Sequence, residues 1–409
     1  MRRASPDPPN IQGKLIIGVL YGFRAIMVLL VCHYHIWQQS WLPQYYMIWG
    51  RELQLDFLAR AGYMFVDGML LMSGFLLYLP YARKKAEGIP APGWKEFGLK
   101  RAARILPSYL SAVLLALLLI AIPQNKYATT ELMVWDIANH LTFSFNFFKE
   151  TCLHTPLNGA LWTVAVEVQF YLVFPLLAIW TQKKPALTLG LLSLAGMAYR
   201  GLVYAYAEDT SLLVNQMPAF LDVYALGMLG AILYLRLVKR MDSAKERKSV
   251  TPLLWAAIPV FILSLCGIVA LLREQASSSG YESIRRSQLA LRLPFAICIL
   301  GAMLSAAIAP RFIQKVLDNR FLRFFSTISF NLYIWHQLLS VQIRQAFFPD
   351  TFRADRPMQV AYTLLCFSCS ILAAMLATFG VELPCARFIH TLRTNRRNQT
   401  HERSKVIET

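Results

Sequence analysis

Charged side chains are scarce in this sequence of 409 residues. Asp, Glu, Lys and Arg make up 16% of it, whereas soluble domains carry about 25%. Hydrophobic residues reach 56%, and the mean hydropathy is +0.43. This composition excludes an ordinary soluble globular protein and predicts an integral membrane protein.

The sequence also lacks the patterns of a disulfide framework, a metal site and an internal repeat. Six of the seven cysteines lie in or beside apolar runs, where cysteine is a common small core residue. Cys366 and Cys369 form a CxxC pattern, but inside an apolar segment this spacing indicates packing on one helix face. We therefore predict no bound metal.

Acidic residues are few, with 23 against 41 Lys and Arg, which leaves a net charge of +18. The apolar residues form ten segments, and each approaches the roughly 20 residues that cross the hydrocarbon core of a membrane. The sequence thus predicts an all-α fold, a polytopic membrane bundle of about ten transmembrane helices. The segments are 15–37, 59–79, 105–122, 157–179, 186–204, 219–237, 252–272, 289–309, 321–341 and 359–383.

The distribution of positive charge predicts the orientation. On one side of the membrane the tails and connections hold 28 of the Lys and Arg residues, and the other side holds 12. The basic side of a membrane protein faces the cytoplasm. We predict a multi-pass protein of the cell membrane with both termini cytoplasmic and with membrane lipids around it. Because topology explains the basic excess, we predict no nucleic-acid partner.

The domain organisation follows from these segments. We predict a short cytoplasmic tail over residues 1–14, one membrane domain over residues 15–385 and a basic cytoplasmic tail over residues 386–409. The first apolar run contains Arg24 and two histidines and has no small-residue cleavage site, so we expect it to be retained as a membrane helix. We expect no appended soluble domain.

Ionisable residues in the first segment are the main functional signal. An ionisable side chain inside a membrane span is costly and usually faces the bundle interior. Arg24 and His35 are eleven residues apart, so they share a helix face at a separation of roughly 16 Å. His33 points about 200° away from His35, and we predict that it packs against a neighbour. Positive-inside flanking by Arg24 with an interfacial His35 is the alternative.

Two more stretches near the cytoplasmic side carry polar groups. Asp67 and Ser73 lie in the second segment, in apolar surroundings. Arg101 and Arg104 precede the third segment and share a helix face if the helix has begun. Two guanidinium groups at that spacing suit a phosphate or diphosphate through bidentate hydrogen bonds. Positive-inside flanking remains an alternative for this arginine pair.

The fourth and ninth segments contain the remaining polar candidates. Glu167 and Gln169 lie about ten residues into the fourth segment, where a carboxylate needs a functional or paired role. Asn331 and His336 lie in the ninth segment, and an interfacial histidine beside a tryptophan is an equal alternative for His336.

Taken together, these stretches resemble acyltransferase family 3 of membrane proteins. The resemblance covers nearly the whole membrane region in the same order, with Thr163 where the family often has serine. The matching motifs are Arg24-x10-His35, the FVDGMLLMSGF stretch, Arg101-Ala-Ala-Arg104, the LWTVAVEVQFYLVFPLL stretch and the SFNLYIWHQLL stretch.

The resemblance implies a membrane O-acyltransferase. Its members move an acyl group, commonly acetyl, from acyl-coenzyme A to a hydroxyl group, often of a sugar. The expected acceptor is a cell-surface polysaccharide, a glycolipid or a related glycoside, and the chain resembles stand-alone members without a hydrolase-like domain. No permanently bound cofactor is implied, since acyl-coenzyme A is a donor substrate.

The resemblance and the topology assign roles to these residues. We predict that His35 is the general base, with a covalent acyl-histidine as a second possibility, and that Glu167 supports its imidazole. Arg24, Arg101 and Arg104 are predicted to bind the donor. The possible substrate pocket comprises Asp67, Ser73, Gln169, Tyr171, Asn331 and His336.

A transporter or flippase is the alternative function, because buried Arg, Glu, Asp and His residues also mark proton relays and substrate paths. Transporters often show related halves with helices broken at matching positions. The sequence shows neither feature, which favours acyl transfer.

Overall fold

The computed structural model describes residues 14–246, 251–388 and 391, and this part of the chain is mostly helical. In chain order its helices are α1 (Lys14–Trp37), α2 (Asp56–Arg60), α3 (Phe65–Glu87), α4 (Trp94–Ala116), α5 (Thr130–Leu141), α6 (Lys149–Cys152), α7 (Trp162–Lys183), α8 (Pro185–Tyr206), α9 (Leu221–Glu246), α10 (Thr251–Ser277), α11 (Tyr281–Ile308), α12 (Arg311–Leu317), α13 (Arg320–Phe347) and α14 (Arg356–Ala377).

Nine helical stretches of the described residues are long and apolar enough to cross a membrane, and each overlaps a predicted segment. The predicted polytopic helical bundle is therefore confirmed. The nine stretches are Gly18–Trp37, Gly62–Glu87, Trp94–Ala121, Gly159–Lys183, Pro185–Tyr206, Met217–Ser243, Leu254–Ser277, Tyr281–Ile308 and Arg356–Phe388.

The tenth predicted segment, 321–341, lies within α13, which is 28 residues long. Its length suffices to span a membrane, but polar residues lower its mean hydropathy. Those residues are turned into the bundle, where polar groups find partners that lipid does not offer. The buried polar residues of α13 are Ser326, Ser329, Asn331, His336 and Ser340.

The described residues also contain a β-hairpin directly after α1. Strands β1 (Tyr45–Ile48) and β2 (Arg51–Gln54) pair antiparallel, with Tyr45 opposite Gln54. Trp49 and Gly50 form the turn with φ angles of 49° and 74°, as two-residue hairpin turns require. The guanidinium of Arg356, at the start of α14, lies 4.7 Å from the centre of the Tyr45 ring.

Two helices continue as π-helical segments, in which each backbone bond reaches five residues back. One follows α4 at Leu117–Ala121, and the other follows α14 at Thr378–Glu382. The second segment packs against α4 and α13. It therefore brings the end of the last membrane span to the helix that carries Arg101 and Arg104.

Helix α3 is at the centre of the bundle and α10 is at its edge. In the most apolar stretch of each span, 78% of the residues are buried for the α3 span and 11% for the α10 span. Helix α3 packs most extensively against α9, and α1 packs against both α3 and α13. The α1 face that carries Arg24 and His35 therefore lies inside the bundle.

The contact between α3 and α9 depends on two glycines. A Cβ atom at Gly227 of α9 would lie 2.1 Å from the carbonyl oxygen of Leu71 in α3. A Cβ atom at Gly74 of α3 would lie 2.7 Å from the carbonyl oxygen of Tyr224 in α9. Small residues allow close backbone approach, which is how membrane helices associate where lipid offers no hydrophobic driving force.

Replacing Gly227 by Ala is expected to separate α3 from α9 and to lower the free energy of unfolding by about 1–3 kcal/mol, the usual cost of overpacking. Thermal unfolding in detergent measures the effect as a lower melting temperature. Gly201→Ala in α8 is the matched control, since no atom lies within 4 Å of its added Cβ. Equal melting temperatures for the two variants would contradict this account of the α3–α9 contact.

Candidate active site

A cavity lies inside the bundle, with walls from α1, α3, α4, α7 and α13. Its lining combines apolar side chains such as Met27 and Leu70 with a group of convergent polar ones. A cavity of this kind is the usual form of a small-molecule site. The polar residues of its wall are Arg24, Ser73, Arg101, Arg104, Thr163, Glu167, Tyr171, Ser329 and Tyr333.

Three arginines share this cavity. Arg24 comes from α1, and Arg101 and Arg104 come from successive turns of α4, which begins at Trp94. The guanidinium of Arg101 lies over the rings of Phe97 and Tyr171, at 5.8 and 5.5 Å from their centres. Within residues 14–246 and 251–388 none of the three forms an ion pair or a hydrogen bond. The cavity therefore offers three positive groups whose donors are open to an anion.

Glu167 is the carboxylate on the opposite wall, and its hydrogen bonds differ from our expectation. Its Oε1 atom accepts a hydrogen bond from Ser73 Oγ at 2.6 Å and a very short one from the Tyr171 hydroxyl. We expected Glu167 to support His35, but its partners are these two hydroxyls. The reason is depth: Glu167 lines the cavity beside Arg24, whereas His35 lies eleven residues further along α1.

His35 lies beyond the outer end of the cavity wall, whose last polar residues are Thr163 and Tyr333. Its Nδ1 atom lies 3.2 Å from Oε1 of Gln38, and its ring centre lies 5.1 Å from that of His336. Gln38 thus holds the imidazole where Glu167 was expected. His33 faces the other way and stacks on Phe367 of α14, with ring centres 6.3 Å apart.

His336 is fully buried in α13, one turn beyond the cavity residue Tyr333. Its Nδ1 atom lies 2.6 Å from the carbonyl oxygen of Tyr333 and 3.2 Å from that of Leu332. Its ring centre is 5.4 Å from the Tyr333 ring. Tyr333, His336 and His35 therefore form a contiguous line from the cavity to the outer end of α1.

Two predicted pocket residues are engaged elsewhere. The Nε atom of Arg292 in α11 donates to Asp67 Oδ1 at 3.1 Å, and both side chains are buried. Gln169 donates from Nε2 to the carbonyl oxygen of Phe143 at 2.9 Å and to Asn146 Oδ1 at 2.8 Å. Neither Asp67 nor Gln169 is part of the cavity wall, because each buried polar group is satisfied by a neighbouring element.

Asn331 lies behind the cavity and contacts a carboxylate that the sequence analysis missed. Its Nδ2 atom donates to Thr378 Oγ1 at 2.9 Å and to Glu382 Oε2 at 2.8 Å. The positive charges that act on Glu382 are those of Arg104 and Arg24. Glu382 is the one acidic residue of the segment 359–383, so the cost of a carboxylate in a membrane span was a signal for it.

Sequence comparison identifies the family that builds this site. The sequence model of an acyltransferase domain matches residues 19–378, which include every residue of the cavity wall. The chain belongs to acyltransferase family 3. The family predicted from the sequence is confirmed, and with it the enzyme class, an acyltransferase.

Curated relatives in acyltransferase family 3 are distant. The peptidoglycan O-acetyltransferase OatA of Listeria monocytogenes is 24% identical over 373 residues, which cover 84% of this chain and 53% of the relative. A putative O-acetyltransferase of Staphylococcus aureus is 22% identical over 378 residues, which cover 89% of this chain and 56% of the relative. The chain thus spans about half the length of the curated relatives it matches. No solved structure matches it.

Replacing Asp67 by Asn is expected to destabilise the protein by about 3–5 kcal/mol, because it leaves the buried guanidinium of Arg292 without its carboxylate. The measurement is the melting temperature in detergent together with the KM for the acyl donor, which should stay unchanged. Asp209→Asn is the control, since it breaks an exposed pair with Lys149 and should not move the melting temperature. A raised KM at wild-type stability would return Asp67 to the substrate pocket.

Proposed function

We propose that this chain transfers an acetyl group from acetyl-coenzyme A to a sugar hydroxyl of a cell-wall polysaccharide or a related surface glycoconjugate. The observation that carries the proposal is the presence of three unpaired guanidinium groups in one cavity of an acyltransferase domain. The printed names of the relatives, a peptidoglycan O-acetyltransferase and a putative O-acetyltransferase, support the acetyl group and the wall polysaccharide.

The arginine cluster is the proposed binding site for the phosphates of coenzyme A. Guanidinium groups bind phosphate oxygens through paired, charge-assisted hydrogen bonds. The Lys and Arg distribution predicts that the start of α4 and both termini face the cytoplasm, where coenzyme A is found. Glu167 offsets part of the positive charge and holds the Tyr171 and Ser73 hydroxyls on the same wall.

The acyl end of the donor then has to reach His35. Arg24 and His35 are roughly 16 Å apart along α1, so an extended pantetheine arm passing Tyr333 can join the phosphate site to the imidazole. Gln38 Oε1 accepts the proton-bearing Nδ1 of His35, which leaves the Nε2 lone pair free. His35 Nε2 takes the proton of the acceptor hydroxyl as the oxygen attacks the thioester carbonyl, and the thiolate of coenzyme A leaves.

Replacing Arg101 by Lys is expected to raise the Kd for coenzyme A about tenfold, or about 1.4 kcal/mol, because lysine keeps the charge but loses the planar fork. Isothermal titration with the purified protein gives this value. Lys100→Ala is the matched control: Lys100 is the neighbouring residue, is exposed and pairs with Glu96 at 2.9 Å. If Lys100→Ala weakens binding as much as Arg101→Lys, positive-inside flanking is the better account of the arginine pair.

Replacing His35 by Ala is expected to lower acetylation of the surface polysaccharide at least about 100-fold, the usual effect of losing a general base. Cells that lack the chain are complemented with each variant, and ester-linked acetate on the polysaccharide is measured by mass spectrometry. His33→Ala should retain most of the activity, because His33 packs on Phe367. An inactive His33 variant beside an active His35 variant would overturn the assignment of the base.

A further inference from the structure

The tautomer of His336 is determined by its surroundings. A carbonyl oxygen can only accept a hydrogen bond, so the Nδ1 atom that faces the carbonyls of Tyr333 and Leu332 bears the proton. The lone pair of the neutral ring is therefore on Nε2. In the described part of the chain this Nε2 atom is buried and has no hydrogen-bond partner.

His35 has the same tautomer for a similar reason. Gln38 presents its Oε1 atom to Nδ1 of His35, while its Nε2 atom donates to the Tyr34 hydroxyl at 2.7 Å. The Nε2 lone pair of His35 is therefore also free. Two imidazole rings with free Nε2 lone pairs thus lie with their centres 5.1 Å apart and their planes inclined by 51°.

A purely structural role does not account for this arrangement. A buried acceptor without a partner is unfavourable, whereas an apolar side chain of similar shape avoids that cost. The ring of His336 is in contact with His35 on one side and with Tyr333, a cavity residue, on the other. Its unsatisfied nitrogen therefore lies between the predicted base and the predicted donor site.

We propose that His336 is the second proton acceptor of the reaction and that it receives through His35 the proton of the acceptor hydroxyl. This inference rests on the proposed function. While both rings are neutral, neither Nε2 atom can donate to the other. As soon as His35 takes a proton on Nε2, that N–H can donate to Nε2 of His336, and the positive charge is shared by two rings.

The atoms balance in the following way. The O–H bond of the acceptor breaks, its proton moves to His35 Nε2, and its oxygen forms the new ester bond. The C–S bond of the thioester breaks and its electron pair stays on sulfur. The proton passes from His35 Nε2 to His336 Nε2 and then to the coenzyme A thiolate, which leaves both imidazoles neutral. The line from His35 through His336 to Tyr333 gives this transfer its direction, towards the donor.

His336→Asn tests the relay, because the asparagine amide can still donate to the helix carbonyls near the position of Nδ1 but has no group at Nε2. Purified variants are assayed for thiol release from acetyl-coenzyme A with soluble peptidoglycan fragments. We expect kcat to fall about 100-fold, with the KM for acetyl-coenzyme A within about twofold and an unchanged melting temperature. His33→Asn is the matched control and should keep kcat within about twofold.

Two further measurements separate a relay from a structural effect. The double variant His35→Ala with His336→Asn should be no slower than His35→Ala alone, since residues that act as a unit are not additive. The rate of the wild type in mixtures of light and heavy water should depend non-linearly on deuterium content, as two moving protons require, and that of His336→Asn linearly.

Each result decides the matter. A wild-type kcat for His336→Asn, or a double variant slowed by the product of the two single effects, overturns the relay. A loss of kcat that comes with a lower melting temperature and a linear isotope dependence in the wild type also overturns it. A wild-type protein that consumes no acetyl-coenzyme A overturns the proposed function itself, and that result is read from the wild type alone.

Discussion

A charge inside a membrane-spanning bundle has to be paired or placed in a cavity, and this constraint divides the buried arginines of the protein into two groups. Arg200 and Arg292 are paired: Arg200 Nη2 lies 2.6 Å from Asp222 Oδ2, and Arg292 pairs with Asp67. Arg24 and the α4 arginines have no such partners and share a cavity instead. The first group holds helices together, and the second is available to a ligand.

The paired arginines also explain how the outer ends of four helices are joined. Arg200 of α8 donates to the carbonyl oxygens of Leu289 and Ala219 as well as to Asp222 of α9. Arg292 of α11 donates to the carbonyl oxygen of Val214 and lies 4.0 Å from the centre of the Phe220 ring. The guanidinium groups thus satisfy backbone carbonyls where the chain between α8 and α9 is not α-helical, which a membrane interior requires.

The sequence predicted the bundle and the face of α1 well, because both depend on local periodicity. Apolar length alone locates the spans, and the eleven-residue spacing places Arg24 and His35 on one helix face. The partners of Asp67 and Glu167 could not be predicted in this way. Asp67 pairs with a residue 225 positions away, and Glu167 lies at the depth of Arg24 rather than of His35. Helical periodicity gives the direction of a side chain, but the pairing depends on which helices are neighbours and at what height.

The π-helical segment Thr378–Glu382 has a consequence for the register of the last membrane span. A π turn holds one more residue than an α turn, so everything after it is rotated by about 100° relative to an uninterrupted α-helix. This wider turn is what lets one amide group, that of Asn331, reach both Thr378 and Glu382. The carboxylate behind the arginine cluster is thus positioned by a single extra residue in the helix, and a one-residue deletion there would turn it away from α13 without altering any side chain of the site.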